Sequence, residues 1–218
     1  MRNNRNTERR LALLCGLAAL IGLLLAIRVF DGNFAWKAIG MMEVWSGLDA
    51  LVYYWFTAKW IKAGRDGLIS SRWYFIVMVH CFLAAILGLL YMGPAYKVYD
   101  NTQQLGILVL ILALPLLMLF QYFAGPRHIF RKRMIKLTMG ITLLYLLVLF
   151  ALGDMGHPLG IGTMVVPYPY LNYAQLGWGI VSVNLVVIVI IEYILCRIMI
   201  AIDRSGRNEI NSRKGGRR

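Results

Sequence analysis

The chain has 218 residues, of which 60% are hydrophobic and only ten are acidic, and it carries a formal net charge of +13. Soluble domains are usually about 45–50% apolar, so this composition argues against a soluble globular protein. The basic residues occur in short clusters between long apolar runs, a distribution that favours anionic lipid headgroups over nucleic acid as the partner. The sequence therefore predicts an integral membrane protein that does not bind nucleic acid.

Six apolar runs of roughly membrane-spanning length follow one another along the chain. They are continuously apolar, whereas the strands of a membrane barrel would alternate in polarity. We therefore expect an all-α polytopic membrane protein, a bundle of six transmembrane helices within residues 11–203. The expected spans are 11–30, 41–60, 73–93, 104–124, 136–152 and 173–200. A basic N-terminus, 1–10, precedes the bundle, and a basic tail, 204–218, expected to be disordered, follows it.

Lysine and arginine are concentrated in alternate connections. The N-terminus, the second and fourth connections and the C-terminus are rich in them, whereas the first and third connections carry only Lys37 and Lys97. Because connections rich in Lys and Arg remain in the cytoplasm, this pattern predicts that both termini are cytoplasmic. An even number of spans agrees with that placement. The expected location is a bacterial cytoplasmic membrane, with anionic lipid headgroups as partners at the cytoplasmic face.

Cysteine spacing and glycine-rich segments give no sign of a bound cofactor. Cys15, Cys81 and Cys196 lie within apolar runs, and no CxxC or Cys/His ligand spacing occurs. They are expected to be buried thiols that form neither a disulfide nor a metal site. The glycines after Gly153 lack the preceding strand and the lysine of a phosphate-binding loop. No cofactor and no metal are predicted.

Polar residues inside the spans are candidates for function, because a charge at the centre of a membrane helix costs about 2.5–3.5 kcal/mol. Asp49 lies well inside the second span, close to Ser46 in sequence. Asn184 and Glu192 are eight residues apart in the sixth span, so they share one face of that helix. His80 in the third span is interpreted as a packing residue.

The segment before the last span, VVPYPYLN at residues 165–172, cannot be helical. Pro167 and Pro169 fix φ and bias the residues before them to extended conformations. The last helix should therefore begin near Asn172, whose side chain is of a type that caps helices. We name residues 165–172 the lid segment, because they are expected to cover the outer end of the bundle. Its tyrosines fit either an aromatic belt at the membrane interface or a ligand pocket.

The second half of the chain resembles a known family. A helix with an internal proline, Pro115, is followed by a basic connection, another helix, the motif Y-P-Y-L-N at 168–172 and the motif L-G-W-G at 176–179. This order resembles the androgen-induced-gene/ADTRP-like family of integral membrane proteins, especially its small bacterial members, most closely over 110–204. Characterised animal members are six-span hydrolases that cleave fatty acid esters of hydroxy fatty acids. The resemblance implies a nucleophilic threonine near the start of helix two and a histidine in helix four.

The chain departs from that pattern at both catalytic positions. Ser46 stands at the best match to the threonine, and Thr57 is an alternative placement nearer the cytoplasmic end. The histidine position is occupied by Leu110 or Ile111, depending on the spacing to Pro115, and neither side chain can accept a proton. A lipid-ester hydrolase would therefore need another base.

His157, in the last outer loop, is the candidate base. It would act on Ser46 as the nucleophile and be oriented by either Asp154 or Asp49. The alternative is that His157 and Asp154 are solvated residues of a loop rich in Gly and Pro. Candidate substrate-binding residues are Tyr168, Tyr170, Asn184 and Glu192.

Three functions remain open at this stage. The first is a lipid-ester hydrolase with altered catalytic residues, and the second is a non-catalytic protein that binds lipid. The third is a small transporter, in which Asp49, Asn184 and Glu192 would line a polar path. An inverted repeat, which many transporters contain, is not evident in the sequence.

Overall fold

The protein is described from a computed structural model that covers residues 2–31, 34–65, 69–91, 100–124, 129–160 and 164–215. These residues contain no strand, and the predicted all-α class is confirmed. Six helices form the bundle: α1 Arg2–Ala26, α2 Met42–Lys62, α3 Ser71–Tyr91, α4 Asn101–Ala124, α5 Arg133–Asp154 and α6 Tyr173–Gly215. Short 3-10 turns occupy Val29–Asp31, Trp36–Gly40 and Pro169–Leu171.

Five of these helices, all except α2, are long and apolar enough to cross a membrane. Helix α2 has a comparable length of 21 residues but includes Glu43, Asp49, Lys59 and Lys62. Each helix overlaps one of the expected spans, and most boundaries differ by only a few residues. The coarse prediction of an all-helical chain with helices able to span a membrane is therefore confirmed for five helices, by length and composition.

Three boundaries differ more. Helix α1 begins at Arg2, within the segment 1–10 that the sequence predicts to precede the bundle. Helix α1 ends at Ala26 because the chain turns there, with Arg28 in a left-handed conformation (φ 58°) and its guanidinium 2.7 Å from the Asp100 carboxylate. At the other end of the chain, α6 continues as a helix to Gly215, where the sequence predicts a disordered tail from Arg204. No proline interrupts this extension, so the backbone can propagate the helix.

Helix α4 contains a π-helical segment, Val109–Ala113, between the α-helical segments Asn101–Leu108 and Leu114–Ala124. The amide of Leu114 donates to the carbonyl of Val109, five residues earlier. Pro115, the next residue, has no amide proton to donate, and its ring crowds the carbonyl four residues before it. The wider π turn accommodates the proline, so the distortion expected at Pro115 takes the form of a π bulge.

Helix α3 lies at the centre of the bundle and packs against α2, α4, α5 and α6, while α1 packs against α2 and α4. Consecutive helices run in opposite directions, so the bundle has two ends. One holds the start of α2 and the lid segment, since the Tyr168 hydroxyl donates to the Glu43 carboxylate at 2.8 Å. We call it the lid end. The opposite end, which we call the basic end, holds Lys59, Arg72 and Arg131.

Besides the bond from Tyr168 to Glu43, two hydrogen bonds hold the lid segment, one within the segment and one to α6. The Asn172 side chain accepts a hydrogen bond from the Val165 amide at 3.2 Å, so it closes the segment on itself and does not cap α6 as expected. The Asn184 amide donates to the Tyr170 carbonyl at 2.7 Å. Helix α6 begins at Tyr173, one residue after the predicted start. Gly177 (φ 75°) then bends its first turns, with open space around it.

Candidate functional site

A cavity of about 460 Å³ lies between α2, α3 and α5, within the range of about 300–1,000 Å³ that is usual for small-molecule sites. Its wall is mostly apolar, and its mouth opens on the side of the bundle, where Trp45 and Leu48 are exposed. We call this cavity the lateral pocket. It is lined by Met42, Trp45, Ser46, Leu48, Asp49, Val52, Trp73, Ile76, His80, Ile141, Thr142 and Tyr145.

The lateral pocket exists because α2 and α5 make no extended contact, although both pack against α3. Helix α3 forms the floor of the gap, and side chains of α2 and α5 form its two walls. At the lid end the gap is closed by Tyr145, whose hydroxyl donates to the Gly40 carbonyl at 2.6 Å. The pocket is therefore a cleft between helices that opens sideways toward the surrounding medium.

Asp49 and Ser46 contribute polar groups to the α2 wall. One Asp49 carboxylate oxygen accepts a hydrogen bond from the Trp73 indole N–H at 2.7 Å. Asp49 is only half-buried, so it remains accessible from the pocket. The Ser46 hydroxyl donates to the Glu43 carbonyl one turn earlier in the same helix at 3.1 Å. Ser46 is thus held by its own helix and is not paired with a base.

A second set of polar side chains, behind the pocket floor, joins three helices. The Thr142 hydroxyl on α5 donates to Glu192 Oε1 on α6 at 2.7 Å, and its oxygen is 3.2 Å from Nε2 of His80 on α3. His80 Nε2 and Glu192 Oε1 are 4.0 Å apart. Glu192 is fully buried, and its other carboxylate oxygen has no hydrogen-bond partner among the described residues. His80 and Thr142 line the pocket, so this cluster connects the cavity to a buried acid.

The catalytic residues predicted from the sequence are not brought together. His157 is exposed at the end of α5, and within the described residues no hydrogen bond joins it to Ser46, Asp154 or Asp49. Asp154 instead accepts a hydrogen bond from the exposed Tyr173 hydroxyl at 2.6 Å. Of the four predicted residues, Ser46 and Asp49 line the lateral pocket.

The predicted substrate-binding residues mostly hold the lid segment in place. Tyr168 and Tyr170 are buried with their rings 5.3 Å apart, and Asn184 is bonded to the Tyr170 carbonyl. None of the three is among the residues that line the lateral pocket. Glu192 alone approaches it, through Thr142. Of the three residues that the transporter hypothesis invokes, Asp49 lines the lateral pocket, whereas Asn184 and Glu192 are outside the lining given by the described residues.

Glu43, near the start of α2, is an acidic residue that is unusual in an apolar helix bundle because of its burial. Its side chain is completely buried. One carboxylate oxygen accepts a hydrogen bond from Tyr168, and the other has no partner in the part of the chain that the structure describes. The Tyr168 hydroxyl also accepts a hydrogen bond from the Met42 amide. Burial raises the pKa of Tyr168 well above its ordinary value near 10, so the phenol stays protonated and can donate to Glu43. This contact joins the lid segment to the start of α2.

The positions at which the resemblance implies a histidine lie away from the pocket. Leu110 of α4 is buried against α1 and α2, where its side chain lies next to Gly22 and Gly47. Ile111 packs against Gly88 of α3. Neither residue lines the lateral pocket, so the base of any reaction there has to come from another helix.

His80 and Thr142 are the site residues that sequence reasoning missed. His80 was the one histidine inside a span, and membrane-embedded ionisable residues are functional candidates as a class. Thr142 gives no comparable signal, because buried threonines in helices commonly bond their own backbone, as Thr138 does with the Met134 carbonyl at 3.0 Å.

The remaining chemistry of the described residues is limited. The three cysteines are buried, as expected. The part of the chain that the structure describes contains no group of three or more His, Cys, Asp or Glu residues placed to hold a metal ion. No family model, no curated protein and no solved structure matches this chain.

Proposed function

We propose that this protein is an integral membrane protein that binds the apolar chain of a membrane lipid in the lateral pocket. One observation carries the proposal: the pocket opens through the exposed, apolar side of the bundle and has polar groups at its floor. A lipid chain can enter such a cleft sideways from the bilayer without passing through water. Polar groups at the floor would then fix the orientation of the ligand.

The proposed topology has six spans, with the basic end of the bundle in the cytoplasm of a bacterium. Support comes from the basic end, where Lys59 lies 4.8 Å from the Trp55 ring and Arg65 lies 4.3 Å from the Trp60 ring. Such pairs are typical of a membrane interface, where aromatic rings and long basic side chains meet anionic headgroups. Cysteine-accessibility labelling of each connection in intact cells tests this orientation.

Lipid binding is tested by filling the lateral pocket. Val52→Trp places a large ring in the wall of the cleft, and it should reduce the lipid that remains bound through purification in mild detergent, as counted by native mass spectrometry. The matched control is Leu144→Trp on the exposed face of α5, outside the pocket. Equal lipid retention by both variants and by the unmodified protein would contradict the proposal.

The second candidate function is hydrolysis of a lipid ester in the same pocket, as the family resemblance implies. It is favoured by Thr142, which has an acceptor, Glu192, and an imidazole, His80, within hydrogen-bond reach. In the proposed step, Thr142 Oγ attacks the ester carbonyl while its proton passes to Glu192. The departing alkoxide takes that proton to leave as the alcohol. Water then attacks the acyl-threonine and releases the fatty acid, restoring Thr142.

The hydrolysis is tested with a long-chain ester and the purified protein. Thr142→Val should abolish turnover, whereas Thr138→Val, which removes a buried hydroxyl from the same helix, should leave it unchanged. Ser46→Ala and His157→Ala test the catalytic pair predicted from the sequence. Turnover that is lost in these two variants and kept in Thr142→Val would restore the Ser46–His157 hypothesis and remove the one involving Thr142.

A further inference from the structure

We propose that the lateral pocket selects cationic amphiphiles, molecules with an apolar chain and an ammonium head, and that Asp49 is the charge partner of the head. This inference rests on the proposed lipid-binding function and adds the chemical class of the ligand. It follows from the charges and ring systems around the cavity.

The charge balance of the pocket is negative. Within the described residues, the lining contains the carboxylate of Asp49 and no lysine or arginine. A second acid, Glu192, lies one hydrogen bond behind the lining through Thr142. Charges in such a poorly hydrated site interact more strongly than in water. A fatty acid would bring a further carboxylate into this environment, whereas an ammonium head would neutralise the one that faces the cavity.

Asp49 is held in a position that suits this role. Its hydrogen bond to the Trp73 indole fixes the carboxylate against the α3 side of the cleft at 2.7 Å. That indole is a neutral donor, so it positions the carboxylate without cancelling its charge. Asp49 is also half-buried and not sealed, so a ligand can reach it from the cavity.

The aromatic content of the lining supports the same class of ligand. Trp45, Trp73 and Tyr145 all line the pocket, and the Trp73 indole is in contact with Asp49. The π faces of Trp and Tyr attract ammonium groups, and aromatic rings are a recurrent feature of sites for such ligands. The apolar residues Leu48, Val52 and Ile76 provide the surface for the chain. The polar and apolar parts of the cavity thus match the two parts of an alkylammonium ion.

The test uses three probes with the same alkyl chain: dodecylamine, dodecanol and dodecanoate. Their binding to the full chain in an uncharged maltoside detergent is measured by displacement of a fluorescent acyl probe. Dodecylamine should bind on the order of tenfold more tightly than dodecanol, since a hydrogen bond to a charged group is worth more than a neutral one. Dodecanoate should bind most weakly.

Substitutions then assign the preference to one residue. Asp49→Asn keeps the shape and the acceptor for Trp73, and it should remove the advantage of the amine over the alcohol. The control is Asp100→Asn, which removes an acid at the start of α4, outside the pocket lining, and should keep the advantage. An advantage that persists in Asp49→Asn overturns the inference.

The result also separates this inference from the function on which it rests. If Val52→Trp abolishes binding of all three probes but the amine has no advantage, the lateral pocket binds lipid and the selection of cations is wrong. If Val52→Trp changes the binding of none of them, the lipid-binding function itself is wrong.

Discussion

Two helix pairs in this bundle pack in opposite ways. Helices α1 and α4 are in close contact along what we call the seam, whereas α2 and α5 are separated by the gap that forms the lateral pocket. In the seam, the helices meet at glycines: a side chain on Gly106 would collide with the backbone of Ala26 and lie 2.8 Å from the Gly22 carbonyl oxygen. In the gap, the facing positions carry larger side chains, including Trp45 and Ile141, and the two helices remain apart.

The difference teaches where this bundle can hold a ligand. Lipid chains are as apolar as the helices, so close packing in a membrane depends on van der Waals contact between small residues. The glycine seam provides that contact and leaves no space. The gap lacks this close helix–helix contact, and an alkyl chain can cover its walls as well as another helix could. A binding site therefore belongs in the gap, and the two regions should respond differently to substitution.

The largest expected effect is in the seam. Gly106→Ala adds a methyl group where the backbone of α1 lies in contact, and backbone cannot move aside as a flexible side chain can. Overpacking of this kind costs about 1–3 kcal/mol or more. We expect a clear fall in the thermal unfolding temperature in detergent, with loss of α1–α4 association.

Gly140→Ala is the matched control. Gly140 lies within α5, and a side chain there meets nothing within 4 Å. Alanine should stabilise this helix by about 0.5–1 kcal/mol, because glycine costs more conformational entropy in a helix interior. If both substitutions lower the unfolding temperature equally, the contrast between seam and open surface is wrong.

The next effect is at the lid end of the gap, where Tyr168 binds Glu43. Tyr168→Phe would leave Glu43 buried with no partner on either carboxylate oxygen. An unsatisfied buried polar group costs about 1–3 kcal/mol, and more when it is charged. We expect a lower unfolding temperature and faster proteolysis of the lid segment. Tyr173→Phe removes an exposed hydroxyl bound to Asp154 and should change the unfolding temperature little. An equal loss in both variants would contradict the stabilising role of the Tyr168–Glu43 hydrogen bond.

The helices were predictable from sequence because hydrophobic runs and prolines directly determine where helices form. The lid segment could be placed for the same reason, since Pro167 and Pro169 forbid a helix there. Asn172 shows the limit: its residue type suits a helix cap, but the tertiary fold directs its side chain to the Val165 amide. Which of several partners a polar side chain chooses depends on contacts that are distant in sequence.

The site was less predictable than the fold for a related reason. Asp49 is a candidate from its depth in the second span and Ser46 from the family resemblance, and both line the pocket. His80, Thr142 and Glu192 lie on three helices, and their meeting depends on how α3, α5 and α6 are rotated. Apolar helices surrounded by lipid carry little hydrophobic asymmetry, so sequence alone does not reveal those rotations.

The smallest expected effect is within the gap itself. Trp73→Phe removes the indole donor from Asp49, and a typical hydrogen bond contributes about 0.5–1.5 kcal/mol. The loss should fall at the low end, because Asp49 is half-buried and can take another donor from the cavity. The control for removing a tryptophan is Trp55→Phe on α2, where the ring is exposed. Thermal unfolding with and without added dodecylamine measures both variants. Binding stabilises any variant that keeps the site, so added dodecylamine should raise the unfolding temperature of both variants. The rise should be smaller in Trp73→Phe, because only that variant loses the donor that positions Asp49; an equal rise in both would contradict this role of the indole.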